Sequence, residues 1–282
     1  MVRPAMRVVD LDRDMSDVIP TGSSLDSEFL YQRMTDATLE LALRASSRAG
    51  QRVLDVASGV GQDSFALAER GARVVGAEPS QRMIGMAELV AARRERPLPT
   101  EAVPRWIRAW SDTLPFATGS FDACLCKGAI DHFDRPVDAI AEMARVTRIG
   151  GRVVLAIANF ESLGLRVLRA SDTWRERGGR RAERGRRLYD VPSDHFTRYE
   201  LSLMREQASQ HLTLEVVTGV SLGWGVPGWS QRLAGAPDWA AAGALQALDW
   251  IARRAPGWSD VVVLAGRPRP ELRAERSAST SA

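Results

Sequence analysis

The sequence predicts an α/β fold: a doubly wound, mostly parallel sheet of seven strands, with a helical N-terminal arm and late insertions placed as lids. From residue 51 onward, short apolar runs alternate with amphipathic segments, and parallel neighbours need such crossovers. A glycine turn, Ser58-Gly59-Val60-Gly61, follows the first apolar run and opens a helix. An acid, Glu78, closes the second run 19 positions after Gly59.

Residues 1–24 are polar and loop-like. Ser27–Arg48 reads as a helix, with Asp26 or Ser27 as its cap and Leu30, Met34 and Leu41 at apolar spacing. Val53–Ala57 reads as a buried strand, and Gln62–Arg70 as a helix ended by Gly71. Arg73–Ala77 is the second strand, and Ser80 caps a helix running to Arg94. Arg105–Trp110 is a weaker third strand and Phe121–Cys126 the fourth. Val137–Thr147 is a helix closed by an Ile-Gly-Gly turn before the fifth strand, Arg152–Ala158. There the alternation stops. Asn159–Pro192 is rich in Arg and Gly, with Trp174 and Tyr189 inside it. Tyr199–Gln210 reads as a helix and Leu212–Val217 as a strand. A tryptophan-bearing stretch, Ser221–Trp258, holds a helix at Ala240–Arg254 and leads to a last strand, Asp260–Ala265.

Of the 282 residues, 45% are hydrophobic and 26% charged, a composition that folds around its own core. Cys124 and Cys126 alone build neither a disulfide framework nor a four-cysteine zinc site. His132, His195 and His211 lack the spacing of a metal-binding helix, so no metal is expected. No apolar run reaches the roughly 18 residues of a membrane span, and Met1–Asp14 lacks a signal-peptide core. The cytoplasm is the expected compartment. A net charge of +3 does not imply nucleic acid. Arg175–Arg187 is an arginine-rich run, read either as a solvated segment or as a clamp for a phosphate or carboxylate.

At the glycine turn, Gly59 and Gly61 let the backbone approach a ligand, and the following helix offers free N–H groups to an anion. A carboxylate at the end of the neighbouring strand is placed to accept ribose hydroxyls. Together these point to a nucleoside. The dinucleotide fingerprint needs a third glycine where Ser64 stands, and no GxxxxGK[ST] occurs, so NAD, FAD and P-loop nucleotides are disfavoured.

These residues resemble the class I S-adenosylmethionine-dependent methyltransferases of the small-molecule group. VLDVASGVG (residues 53–61) resembles the family's VLDxGxGxG, and VVGAEPSQRMIGMA (residues 74–87) its second motif. Asp112–Phe116 followed by Gly119–Asp122 resembles its DAxxLPFxxxxFD passage. Lys127–Phe133 falls on the loop after strand four, and Arg148–Leu155 resembles its LKPGG motif. The resemblance implies a Rossmann-like fold with S-adenosylmethionine as cofactor. It assigns cofactor contacts to Asp55, Ala57, Ser58, Gly59, Gly61, Glu78, Pro79, Met83, Trp110, Ser111, Asp112, Lys127, Gly128 and His132. Trp110 stands where many members carry an adenine-contacting Asp. It either stacks on the purine or packs in the core, and Asp112 is the alternative adenine contact.

Methyl transfer from a sulfonium asks the protein for proximity, alignment and a dry site, and for a base only when the acceptor loses a proton. The catalytic candidates are His195, in a stretch that borders the acceptor in similar enzymes, and His132, beside the donor. The alternatives are a structural His132 and an exposed His195 behind a helix cap made by Ser193 or Asp194. The tryptophans of residues 224–258 are read either as a lid for a flat or greasy acceptor or as packing. The expected acceptor is a small or medium organic molecule, hydrophobic or anionic, methylated on O before C or N. The strand-four loop, Cys124–Gly128, lacks the [DNS]PP[YFW] of enzymes that methylate exocyclic base nitrogens. A non-catalytic cofactor-binding protein and a nucleic-acid methyltransferase are the rival readings. The expected organisation is an arm and helix over 1–50, a cofactor-binding half over 51–158, a substrate-side half with lids over 159–266, and a disordered tail over 267–282.

Overall fold

The computed structural model describes residues 24–45, 50–178, 187–190 and 195–271. The expectations for the first 23 residues, for Ser193 and Asp194, for most of the arginine run and for the tail from residue 272 onward lie outside these residues.

The sheet comprises β1 (Arg52–Val56), β2 (Arg73–Glu78), β3 (Arg105–Arg108), β4 (Phe121–Lys127), β5 (Thr147–Ala158), β6 (Leu212–Val220) and β7 (Val261–Pro268). Their spatial order is β3-β2-β1-β4-β5-β7-β6. β7 runs antiparallel to β5 and β6, and the other pairs are parallel. The strand order reverses between β1 and β4, and ligands of open α/β sheets bind at the carboxyl edge of that switch.

Both faces of the sheet are covered, which is why β1 reads as a continuous apolar run rather than an alternation. Leu54 and Val56 pack with Cys124, Cys126 and Leu155 against α4 (Pro136–Val146) and α6 (Leu201–Ser209). Val53 turns the other way, with Ala123, Leu125 and Val154, against α1 (Leu25–Leu43) and α2 (Gln62–Glu69). Burial pushes both cysteine thiols up, so they fill core rather than react. The predicted cap of α3 (Gln81–Ala92) is present: Ser80 Oγ accepts the Met83 N–H at 3.2 Å.

Two helices escape the sequence pattern. α5 (Leu163–Arg177) occupies the stretch that reads as an Arg/Gly-rich connection, and Ser162 Oγ caps it. Its only buried residues are Gly164 and Leu165, so little of it packs on the core. α7 (Trp229–Ala234) precedes α8 (Asp238–Arg254). α8 is pinned by buried Asp249, whose carboxylate accepts Arg33 Nε at 3.2 Å and the Ser221 N–H at 3.1 Å. The arm and the β6–β7 insertion are tied together: Trp224 Nε1 donates to Ser27 Oγ at 3.1 Å, and Ser230 Oγ to Asp26 at 3.0 Å. Of the tryptophans read as lid or packing, Trp224 and Trp229 are partly buried, whereas Trp239, Trp250 and Trp258 are exposed. No helix among the described residues is long and apolar enough to cross a membrane.

Candidate active site

The turn after β1 is left-handed at Ala57 (φ 57°), Gly59 (φ 53°) and Gly61 (φ 81°). A Cβ at Gly59 would meet nothing within 4 Å, so the turn leaves open space there for a ligand. Gly61 has a different neighbour: a Cβ there would come within 2.8 Å of the Trp106 ring. Trp106 also lies against Gly76 and 5.4 Å from the Phe65 ring. The Ser58 hydroxyl turns inward, toward Gly76. Trp106, a β3 residue that the motifs do not single out, is thus the packing reason for two glycines.

Ala57 stands at the first glycine of VLDxGxGxG. The left-handed region costs a non-glycine residue about 1 kcal/mol. Ala57→Gly is therefore expected to leave stability equal or up to about 1 kcal/mol higher, the strain relief being partly offset by unfolded-chain entropy. A clear drop in denaturant midpoint would remove the strain assignment.

Glu78 is buried at the end of β2. One carboxylate oxygen accepts the Gly59 N–H at 2.9 Å and the other the Ser80 N–H at 3.0 Å. A fixed carboxylate beside an open glycine fits the two ribose hydroxyls of an adenosine group. The Pro79 carbonyl accepts Arg108 Nε at 2.9 Å, which holds the turn beside it, and Met83 is half-buried on the first turn of α3.

Asp55 is buried below the turn and accepts Ser64 Oγ at 2.7 Å. Burial first, then the charge of Asp63, hold its carboxyl above the usual carboxylate range. Lys127, at the end of β4, reaches Asp63 at 2.6 Å and Thr35 Oγ1 at 2.7 Å and lies 4.6 Å over the Tyr31 ring. Tyr31 in turn donates to Gln62 Oε1 at 2.5 Å. Lys127 is thus a nearly buried tie that draws the arm helix over the switch point. Gly128 follows in a left-handed conformation (φ 64°) with nothing within 4 Å of a built Cβ.

The β3–β4 link carries Trp110, Ser111 and Asp112, all half-buried. Thr113 Oγ1 donates to the Asp112 carboxylate at 3.1 Å, and Arg135 lies 3.8 Å from it. Asp112 is therefore already engaged.

A further group lies past the end of β4. Asp131, on a short helical turn, is buried. Its carboxylate lies 3.1 Å from His195 Nδ1 and 3.9 Å from His132 Nε2. The two imidazoles meet edge to face, centroids 4.3 Å apart. The backbone N–H groups of Phe196 (2.8 Å) and Thr197 (3.3 Å) donate to the Asp131 carbonyl and stitch the two segments together. His195 is only 16% exposed, so the exposed-histidine alternative does not hold. The three side chains bring ligand atoms within 4.8 Å of one another. That spread is wider than the about 3.4 Å edge implied by tetrahedral Zn–N bonds of ~2.05 Å, whereas Asp131 and His195 stand at ion-pair distance. His211 lies elsewhere, beyond α6.

A family model described as a methyltransferase domain matches residues 54–155. An uncharacterized methyltransferase of Mycolicibacterium paratuberculosis is 31% identical over 217 residues, 70% of this chain and 78% of its own length. A demethylmenaquinone methyltransferase of Beutenbergia cavernae is 39% identical over 133 residues, 47% of this chain and 49% of its own. Against several other curated relatives the chain likewise spans about half their length. The crystal structure of magnesium protoporphyrin IX methyltransferase from Synechocystis PCC 6803 with bound SAH superposes with a TM-score of 0.55 at 18% identity, over 86% of this chain and 85% of that one, and so shares the fold. With the motif order, the switch-point geometry and these relatives together, the chain belongs to the class I S-adenosylmethionine-dependent methyltransferases.

Proposed function

We propose that the protein transfers a methyl group from S-adenosylmethionine to an oxygen of a small or medium organic acceptor, with His195 as the base. The observation that carries the base assignment is the 3.1 Å approach of Asp131 to His195 Nδ1. A carboxylate there favours the tautomer with the proton on Nδ1, which leaves Nε2 with a lone pair to take the acceptor's proton. The edge-to-face contact of His132 limits rotation of the same ring.

When bound, the cofactor supplies an electrophilic methyl carbon on a positively charged sulfur. Glu78 and the Gly59 turn would hold its ribose. Pro79, Met83, Trp110, Ser111 and Asp112 would border its base. Asp55, Ala57, Ser58, Gly61, Lys127, Gly128 and His132 would line its amino-acid end. The half spanning 51–158 then serves the donor, and the half spanning 159–266 the acceptor. A small-molecule acceptor is supported by the demethylmenaquinone methyltransferase among the relatives. A cytoplasmic location accords with the absence of a spanning helix among the described residues.

Incubation with methyl-labelled S-adenosylmethionine and fractionated cell extract tests this reading. Label is expected in a small organic product. Label in nuclease-sensitive material would transfer the assignment to nucleic acid. Tight cofactor binding with no labelled product in any fraction would favour a non-catalytic role.

A further inference from the structure

α5 presents one side to solvent, and on it Arg166, Arg169, Ala170, Thr173, Trp174 and Arg177, with Glu161, line an open groove of about 720 Å³. The spacing of these residues is that of a single helical face. A volume of this size falls within the ~300–1,000 Å³ of small-molecule sites. Its wall is unlike an ordinary solvated helix in two respects. Trp174 is 77% exposed, a bare indole surface among charges. And three guanidinium groups converge on one carboxylate: Arg166 Nε at 3.4 Å and Arg169 Nη1 at 3.2 Å from Glu161, with Arg198 Nη2 paired to the same side chain. One acid among three cations leaves the cluster positive.

The cluster also adjoins the proposed base. Arg169 Nη2 donates to the Phe160 carbonyl at 3.2 Å and Arg198 Nη2 to the same oxygen at 3.5 Å. The Phe160 ring lies 6.4 Å from the His195 ring. The arginine end of the groove is thus joined to the histidine pair through Phe160, with the indole farther along α5.

We propose that this groove is the acceptor's binding site and that the acceptor is an aromatic molecule bearing a carboxylate or phosphate. Arg166 and Arg169 hold the anionic group, and Trp174 stacks on the ring. Glu161 competes for the same guanidinium groups, so it tunes affinity downward. The proposal rests on the methyltransferase reading above, whose acceptor it specifies.

The test is calorimetry at low salt with 1-naphthyl phosphate as the probe, and 1-naphthol and inorganic phosphate as its two halves. Each half is expected to bind at least about tenfold more weakly than the whole. Replacing Arg166 and Arg169 together by Gln should weaken the probe about tenfold, the scale of a lost charged contact. Glu161→Gln should strengthen it by a few fold, the opposite sign, because a competing carboxylate is gone. Trp174→Ala should weaken the probe and 1-naphthol alike and leave inorganic phosphate unchanged. Binding of S-adenosylhomocysteine is measured beside each variant. If the arginine variant loses it too, the signs for Glu161→Gln and Trp174→Ala decide. No binding of the probe, or binding indifferent to the arginines or unimproved by Glu161→Gln, would overturn the anionic-acceptor site. The methyltransferase reading fails separately, by absent S-adenosylhomocysteine binding or absent label transfer.

Discussion

Glu78→Ala is expected to weaken S-adenosylmethionine binding by about 2–3 kcal/mol, roughly 30- to 150-fold. The carboxylate is buried at the end of β2, and its oxygens already accept two backbone N–H groups, from Gly59 and Ser80. Alanine removes the proposed acceptor for the ribose hydroxyls and, with the same cut, the group that fixes the position of Gly59 relative to β2. The loss therefore has a direct part and a positioning part. Glu78→Gln separates them, because the amide keeps one carbonyl oxygen for a backbone donor but presents an N–H₂ where the second acceptor stood. It should lie between wild type and alanine. Titration calorimetry reads the affinities, and circular dichroism checks the fold. Unchanged affinity in a folded alanine variant would take Glu78 out of the ribose site.

The donor half was readable from sequence because its determinants are local. The glycine turn, the acid after β2 and the Ser80 cap each depend on residues within one strand–turn–helix unit, and all three stand where the spacing places them. The last two strands read from their own apolar runs, although β6 continues to Val220 and β7 to Pro268 rather than stopping at residues 217 and 265, and the antiparallel direction of β7 comes from the folded sheet alone. What spacing cannot reveal are the long-range partners. Lys127 and Thr35 are 92 positions apart, and only the folded sheet brings the arm helix onto the end of β4. Trp106 reads as a strand residue, yet its ring explains Gly61 and Gly76 together. α5 escapes the pattern because its arginines and the glycines after it give the stretch the composition of a connection, and only Gly164 and Leu165 are buried. The histidines show both sides of this limit. Each was noticed as a candidate for chemistry, but their contact, and the part of Asp131 between them, depends on a loop from the second half of the chain folding back onto the first.

His195→Ala is expected to lower turnover about 100-fold or more while leaving donor binding intact, the usual scale for losing a general base. Donor affinity should survive because the donor contacts are assigned to β1, β2 and the loops after β3 and β4, whereas His195 belongs to the segment before α6. His132→Ala, next to the end of β4, should instead weaken donor binding and turnover together. Asp131→Asn completes the set. It keeps the carbonyl that accepts the Phe196 and Thr197 N–H groups, so the two segments stay joined. It loses the negative charge that favours the Nδ1–H tautomer of His195, and turnover should fall by an intermediate factor with the donor Kd unchanged. Nitrogen NMR of the imidazole, which needs no acceptor, should show the proton on Nδ1 in the wild type and a shifted tautomer balance in Asp131→Asn. In the pH–rate profile, His195→Ala should lose the acidic limb that protonation of a base produces. A variant that keeps that limb and loses only a few fold in rate would remove His195 from proton transfer. The cluster would then act by positioning the acceptor, or the acceptor would reach the site already ionised.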